Sequence, residues 1–256
     1  DLSEHGYDLY WIATRPDARR RGVARVLMER VEARVRARGG GWIVIETSDT
    51  PPYAAARANP DLVGHEAAER QLLRSFRSGR MHHGWLLTGP PGIGKATLAY
   101  RLARWILAQG PGQRRSGEGE TLHLDPAHPI FRTVANGSHP DLRVLVREPN
   151  ETTGKLRTEI TVKQARKTID FLHHTAAMGG WRIVVIDPVD ELSTEASNAL
   201  LKALEEPPGQ TRFILITAKP FDCLPTIISR CQVIRFQRLA AAVGIGLPLS
   251  KESRWP

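Results

Sequence analysis

One short stretch, GPPGIGKAT at residues 89–97, constrains the fold of this chain more than any other. Its two glycines and lysine satisfy the spacing G-x-x-x-x-G-K, an apolar strand (GWLLT) precedes it, and a helix with an apolar stripe follows. In that order, loop N–H groups, the helix dipole and the lysine ammonium form a seat for phosphate groups. The predicted phosphate-binding residues are Gly89, Pro90, Pro91, Gly92, Ile93, Gly94, Lys95, Ala96 and Thr97.

The residue after the lysine departs from this pattern. Phosphate-binding loops that work on nucleotides carry a serine or threonine there, which ligates magnesium as the terminal phosphate leaves. This chain has Ala96, which has no hydroxyl. Thr97 follows one position later and is turned by about 100° around the helix, so we do not expect it to substitute. The loop therefore predicts a phosphate cradle with a weakened grip on magnesium.

Two further strands end in polar residues. The run Ile183–Ile186 is followed by Asp187, at a strand end where a carboxylate can hold magnesium through water, and then by Pro188. We expect the acidic residues 190 and 191 to cap the helix STEASNALLKALEE. The strand TRFILIT ends in Thr217, whose hydroxyl would face a terminal phosphate, and Ser229-Arg230-Cys231 precedes one more strand.

Residues 1–57 have a different pattern, which predicts a strand, a helix and a second strand in that order. The helical stripe is apolar at Val23, Val26, Leu27, Val31 and Val35, and WIVIET forms the second strand. The turn into the helix has the form R-x-x-G-x-A and offers N–H groups to a pyrophosphate. It resembles the acetyl-coenzyme A loop of the GNAT acetyltransferases. The residues of this loop remnant are Arg19, Arg20, Arg21, Gly22, Val23 and Ala24.

Composition narrows the class of protein. The hydrophobic fraction of 41% is typical of a globular protein, and no apolar run is long enough to span a membrane. The chain has no secretory signal and only two cysteines, Cys223 and Cys231, so we expect a cytoplasmic protein without a disulfide framework. The net charge of +9 suits nucleic acid or acidic protein partners. There is no initiator methionine, which favours a fragment.

Residues 58–238 resemble the AAA+ core of bacterial clamp-loader subunits, above all the delta-prime type of DNA polymerase III. The landmarks are LVGHEAAERQL, HHGWLLTGPPGIGK, SHPDL, ITVKQAR, NALLKALEEPP and IISRC, in this order. The resemblance implies an α/β fold, a P-loop AAA+ parallel sheet with flanking helices, preceded by a small partial GNAT-like β-α-β unit. Members that hydrolyse ATP carry a glutamate directly after the acidic strand, where this chain has Pro188.

The resemblance also implies a role. Clamp loaders use ATP to open a sliding clamp and close it on primed DNA, and delta-prime-like subunits act as a stator whose S-R-C arginine enters the neighbour's ATP site. Arg230 would be that arginine finger. We expect weak or vestigial ATP binding and little magnesium binding. The implied partners are gamma/tau and delta subunits, the sliding clamp and, through the complex, primed DNA.

The chain departs from the family in two places. The interval after the P-loop helix lacks the four cysteines of a zinc module, so we expect no zinc and interpret His123, His128 and His139 as surface or loop histidines. After Phe236 the resemblance ends, and residues 239–256 show no pattern of the helical lid or collar. We therefore predict three segments: a GNAT-like fragment (1–57), an AAA+ core (58–238) and a truncated or frameshifted tail (239–256).

Two alternative functions stay open at this point. One is an active ATPase of the gamma/tau type, with Thr97 and Asp190 replacing the missing groups. The other is an acetyl-coenzyme A-dependent N-acetyltransferase that uses the first segment. Polymerisation itself is not expected, since no pair of palm carboxylates is evident, although such subunits are grouped with DNA polymerase through membership of the holoenzyme.

Overall fold

The computed structural model describes residues 6–9, 33, 42–45, 54–62, 64–110, 121–150, 152–178 and 180–237. The chain divides into two compact units, and the larger one runs from Pro51 to Arg238. Within the described ranges, no helix combines the length and the apolar character needed to cross a membrane.

The smaller unit contains two parallel strands. Strand β1 (Gly6–Leu9) pairs with β2 (Trp42–Ile45), in a register that sets Gly6 opposite Trp42 and Leu9 opposite Ile45. Parallel neighbours require a crossover connection, and residue 33 between them is helical. This pairing fits the predicted strand–helix–strand order.

The larger unit is built on a five-stranded parallel sheet with the order β4-β5-β6-β3-β7. The strands are β3 (Gly84–Thr88), β4 (Leu142–Leu145), β5 (Arg182–Ile186), β6 (Thr211–Thr217) and β7 (Gln232–Arg235). Strands β3 and β5 are buried along their whole length, as continuous apolar runs predict for parallel strands covered on both faces. The predicted α/β fold, a parallel sheet with flanking helices, is confirmed.

Helices cover both faces of this sheet. They are α1 (Ala54–Ala58), α2 (Glu66–Arg77), α3 (Lys95–Leu107), α4 (Pro129–Ala135), α5 (Val162–His173), α6 (Thr194–Glu205) and α7 (Pro225–Ile228). Alternate strand residues enter two apolar clusters: Trp85 and Leu87 join Leu98 of α3 on one face, and Leu86 joins Leu204 of α6 on the other. The two-residue period of the strands therefore divides the core into two layers.

The segment before α2 is fastened to α3 by two buried arginines. Arg104 donates hydrogen bonds to the carbonyl oxygens of Arg57 and of Asn59, the latter at 2.8 Å, and Arg101 donates to that of Pro60. Burial lowers the pKa of Arg104 to about 10, with Arg101 adding to the effect. Helix α1 therefore belongs to the larger unit, which begins at Pro51. The segment bounds 1–57 and 58–238 stay predictions.

Candidate functional site

The loop between β3 and α3 has the backbone that its glycines predict. Gly89 has φ +149°, and a Cβ atom there would lie 2.7 Å from the carbonyl oxygen of Phe236. Gly94 caps α3 with φ +100°, and a Cβ atom there would lie 3.2 Å from Leu62. Both positions combine a left-handed backbone with a close neighbour, so only glycine fits them without strain. The N-terminus of α3 follows directly, with its N–H groups and positive dipole end.

Lys95 occupies the first turn of α3 and is buried, with 6% of its surface exposed. Its Nζ donates hydrogen bonds to the carbonyl oxygens of Gly89 (2.7 Å) and Pro90 (2.6 Å). Burial lowers the pKa of Lys95, and the carboxylates of Asp187 and Asp190 oppose this effect. The ammonium group is therefore held against the loop, with two carboxylates near enough to act on its charge.

The acidic turn after β5 differs from the prediction. Asp190 and Glu191 do not cap α6, because Ser193 does: its side chain accepts the N–H three residues later at 3.1 Å. Asp190 instead accepts a hydrogen bond of 2.5 Å from the hydroxyl of Thr217, which is fully buried at the end of β6. Glu191 forms an ion pair of 2.6 Å with Arg147. The predicted phosphate-facing hydroxyl thus binds a carboxylate of the same edge.

The donor set fits phosphate better than it fits magnesium. Lys95 and the amide-rich turn are groups that bind phosphate oxygens. At the place of the metal-binding hydroxyl, the methyl group of Ala96 packs against the apolar cluster of the α3 face. Asp187 is buried at the end of β5, at the same edge of the sheet, and is the acidic residue that could hold a hydrated cation. No group of three or more histidine, cysteine or acidic residues in the described ranges could hold a metal ion.

Two residues that contact the loop were not predicted as site residues. The Nε2 of His65 lies 2.7 Å from the carbonyl oxygen of Ile93, and its ring packs against Phe236 with centroids 4.6 Å apart. Phe236 in turn donates its backbone N–H to the carbonyl oxygen of Thr88 at 2.7 Å. The position of His65 inside the landmark LVGHEAAERQL is the sequence signal that could have found it.

Arg230 lies at the other edge of the sheet, beside the start of β3. A Cβ atom added to Gly84, the first residue of β3, would lie 3.0 Å from the carbonyl oxygen of Arg230. The predicted phosphate-binding loop leaves the opposite end of the same strand. Arg230 Nε donates to Glu205 Oε1 at 2.8 Å, and a second guanidinium nitrogen contacts the same oxygen. The structure therefore separates Arg230 from the loop residues of this chain.

The histidines of the interval between α3 and β4 have separate roles. His128 caps α4, where its Nδ1 accepts the N–H of Ile130 at 3.2 Å. His139 lies in a loop, as predicted, but it is 5% exposed and accepts the N–H of Asp141 at 3.1 Å. The carboxylate of Asp141 accepts two backbone N–H groups, at 2.7 and 2.9 Å. These contacts give the landmark SHPDL a structural explanation.

The predicted acetyl-coenzyme A loop, Arg19 to Ala24, lies outside the described residues. The tail 239–256 lies outside them as well. Acetyl-coenzyme A binding and the nature of the tail therefore stay predictions.

Comparison with known proteins connects both parts of the chain to families. The model of the family described as DNA polymerase III, delta subunit, matches residues 64–240, and that of the acetyltransferase (GNAT) family matches residues 2–58. Each match overlaps most of the segment for which the sequence showed the corresponding resemblance.

Individual relatives point to the same family. The DNA polymerase III subunit delta' of Pseudomonas aeruginosa is 40% identical over 165 residues, covering 63% of this chain and 46% of that protein. The delta' subunit of Escherichia coli is 35% identical, covering 64% and 45%. The tau subunit of Salmonella typhimurium is 32% identical, covering 67% and 24%. The chain spans about half the length of these delta' relatives. Since the family model matches more than half of its residues, the chain belongs to the DNA polymerase III delta subunit family, in which these curated relatives are delta' subunits.

Proposed function

We propose that this chain serves DNA replication as a delta'-like clamp-loader subunit of DNA polymerase III, and that it acts on a neighbour's ATP rather than on its own. In this role it is a hydrolysis-deficient stator, and Arg230 is the arginine finger. The observation that carries the proposal is the position of Arg230 at the sheet edge opposite the chain's own phosphate-binding loop.

The distance between the two edges supports action on a second subunit. Strand β3 extends over five residues from Gly84, beside Arg230, to Thr88, before the loop. At roughly 3.3 Å per residue, the two ends of the strand are about 13 Å apart. This separation favours a role for the Arg230 side chain at a nucleotide held by a neighbouring subunit over a role at one held in the same chain. A guanidinium is always charged and offers several N–H donors, which suits it to the charge that develops on a transferring phosphate.

The chain's own site lacks the groups that hydrolysis needs. When a triphosphate binds, Lys95 and the N-terminus of α3 would hold its phosphates. Ala96 adds no metal ligand, and Pro188 adds no base beside Asp187. Asp190, the acid that could replace that base, already accepts the hydrogen bond of Thr217. For these reasons we favour weak ATP binding without turnover over an active ATPase.

The partners follow from this role. A gamma/tau-type subunit would supply the ATP that Arg230 contacts, and delta, the sliding clamp and primed DNA would complete the assembly. The similarity of this chain to both delta' and tau subunits is what we expect of neighbours built from related units.

The test measures ATP turnover by a gamma/tau-type subunit assembled with this chain, delta, clamp and primed DNA. We expect Arg230→Ala to slow that turnover by at least about tenfold and Arg230→Lys to restore part of it. Arg132→Ala, which removes an exposed arginine of α4, is the matched control and should change nothing. Full turnover with Arg230→Ala, or failure of the chain to join the partner, would overturn the proposal. Brisk ATP hydrolysis by the isolated chain that disappears with Lys95→Ala would favour the ATPase instead.

A further inference from the structure

We propose that Glu205 is a positioning residue for Arg230: it fixes the guanidinium before the finger meets a neighbour's phosphate. This inference rests on the finger role proposed above. Glu205 Oε1 accepts from Nε of Arg230 at 2.8 Å and also contacts a terminal nitrogen of the same guanidinium. The carbonyl oxygen of Thr226 accepts from Nη1 at 2.7 Å. Contacts on two sides of the planar group define both its place and its orientation.

The groups that hold Arg230 are themselves held by the core. Glu205 is the last residue of α6, and its neighbour Leu204 is fully buried in the apolar cluster on that face of the sheet. Thr226 belongs to α7, where the adjacent Ile227 enters the same cluster with 1% of its surface exposed. The two contacts therefore come from helices that pack into the same apolar cluster. The guanidinium of Arg230 is therefore oriented by groups on two helices that are anchored in the core.

These contacts leave the guanidinium able to bind more. An arginine has five N–H donors, and its contacts with described residues use four: two to Glu205, one to Thr226 and a longer one of 3.4 Å to the Ser229 hydroxyl. The side chain is 30% exposed, so the group is reachable from outside the subunit. A phosphate oxygen can take the remaining donor and the site of the long contact without breaking the pair with Glu205. The guanidinium would then be oriented before it meets the phosphate. The side chain would therefore lose little conformational entropy when it binds the phosphate.

A structural role alone would give a different result. The pair is exposed, and exposed ion pairs add little to stability. Its loss should therefore leave the fold intact while the finger becomes loose. Such a loose finger lowers the rate of the chemical step in the partner and leaves the partner's own binding of ATP unchanged.

The experiment compares Glu205 variants of the full chain in the partner turnover assay. We expect Glu205→Ala to lower the kcat of the gamma/tau-type subunit about three- to tenfold with its KM for ATP unchanged. Glu205→Gln keeps a carbonyl oxygen that can accept from Nε, so it should restore part of the rate. Glu206→Ala removes an equal charge from the next, exposed residue and should have no effect.

A charge exchange separates positioning from simple pairing. In the double variant Glu205→Arg with Arg230→Glu, the ion pair can form again. The guanidinium is then carried by residue 205 at the end of α6 and no longer by residue 230. We expect its thermal unfolding to match that of the parent chain and its effect on kcat to equal that of Arg230→Ala. The positioning role is wrong if Arg230→Ala slows ATP turnover by the partner but Glu205→Ala leaves that turnover unchanged or raises it. The arginine finger role of Arg230 would then still hold. If Arg230→Ala has no effect, the finger itself is wrong.

Discussion

The two edges of the central sheet carry charged residues in opposite surroundings. At the carboxyl edge, Lys95 and Asp187 are 6% and 5% exposed, and the ammonium is bound to carbonyl oxygens of its own loop. At the amino edge, the side chains of Arg230 and Glu205 are 30% and 46% exposed. These charged groups are buried at the carboxyl edge, and the ion pair at the amino edge is partly exposed.

This difference in burial predicts different effects of substitutions at the two edges on stability. A buried charge that loses its partner is costly, whereas an exposed pair contributes little to stability. We therefore expect substitutions at the carboxyl edge to act on folding and on the proposed binding of a nucleotide by this chain. Substitutions at the amino edge should act on the neighbouring subunit.

Asp190→Ala should have the largest effect on stability. It leaves the buried hydroxyl of Thr217 without its carboxylate acceptor and removes one of the charges that offset burial of Lys95. We expect a loss of about 2–3 kcal/mol in the free energy of unfolding, measured with urea. Asp190→Asn, which keeps an oxygen acceptor, should lose less. Glu205→Ala, the matched change at the amino edge, should cost below about 1 kcal/mol. Equal losses at both edges would remove the contrast between them.

Ala96→Ser tests whether one missing hydroxyl limits ATP binding at the proposed nucleotide site. The serine would give a magnesium ion the ligand that the loop lacks. We expect ATP binding in the presence of Mg²⁺ to tighten by about tenfold, or about 1.4 kcal/mol, and binding in EDTA to stay the same. Thr97→Ala removes the neighbouring hydroxyl and should leave the difference between the affinities with and without Mg²⁺ unchanged. Isothermal titration calorimetry measures all three chains, and equal tightening with and without Mg²⁺ would contradict the metal explanation.

The sequence predicted the sheet well because its strands are short, continuous apolar runs bounded by turns and polar strand ends. Asp187 and Thr217 were recognised in this way, and both lie at the carboxyl edge. Contacts between distant segments were not predictable from such patterns. The acceptor of Thr217 is 27 residues away, and Glu205 is 25 residues from Arg230. The predicted cap at Asp190 and Glu191 was wrong because Ser193, nearer the helix, satisfies its N-terminus.

The attachment of the segment before α2 was not predictable either. Its prolines and alanines do not indicate that its carbonyl groups accept hydrogen bonds from Arg101 and Arg104. Local composition does not reveal that arginines 40 or more residues later in the chain will donate hydrogen bonds to this backbone.

His139 tests whether burial of a titratable group, and not its location at one edge of the sheet, decides how much the group affects stability. It precedes β4 at the amino edge, yet it is buried, and burial lowers its pKa while Asp141 opposes the shift. Its Nδ1 accepts the N–H of Asp141, so the folded protein holds the neutral ring. The unfolded chain takes up a proton below pH 6.5, its ordinary value, and the folded chain does so only at lower pH. Stability should therefore be complete above about pH 6.5 and decrease as the pH falls toward the lowered native value.

The variant His139→Asn isolates this contribution. An asparagine oxygen can accept the same N–H two residues later but does not titrate. Urea unfolding at pH 7.5 and 5.5 should show a smaller loss on acidification for the variant than for the parent chain. Replacement of the exposed His123 by Asn is the matched control and should keep the parent's pH dependence. If His139→Asn also keeps the parent's pH dependence, the ring of His139 is not the titrating group. Burial of this histidine at the amino edge would then not explain the loss of stability at low pH.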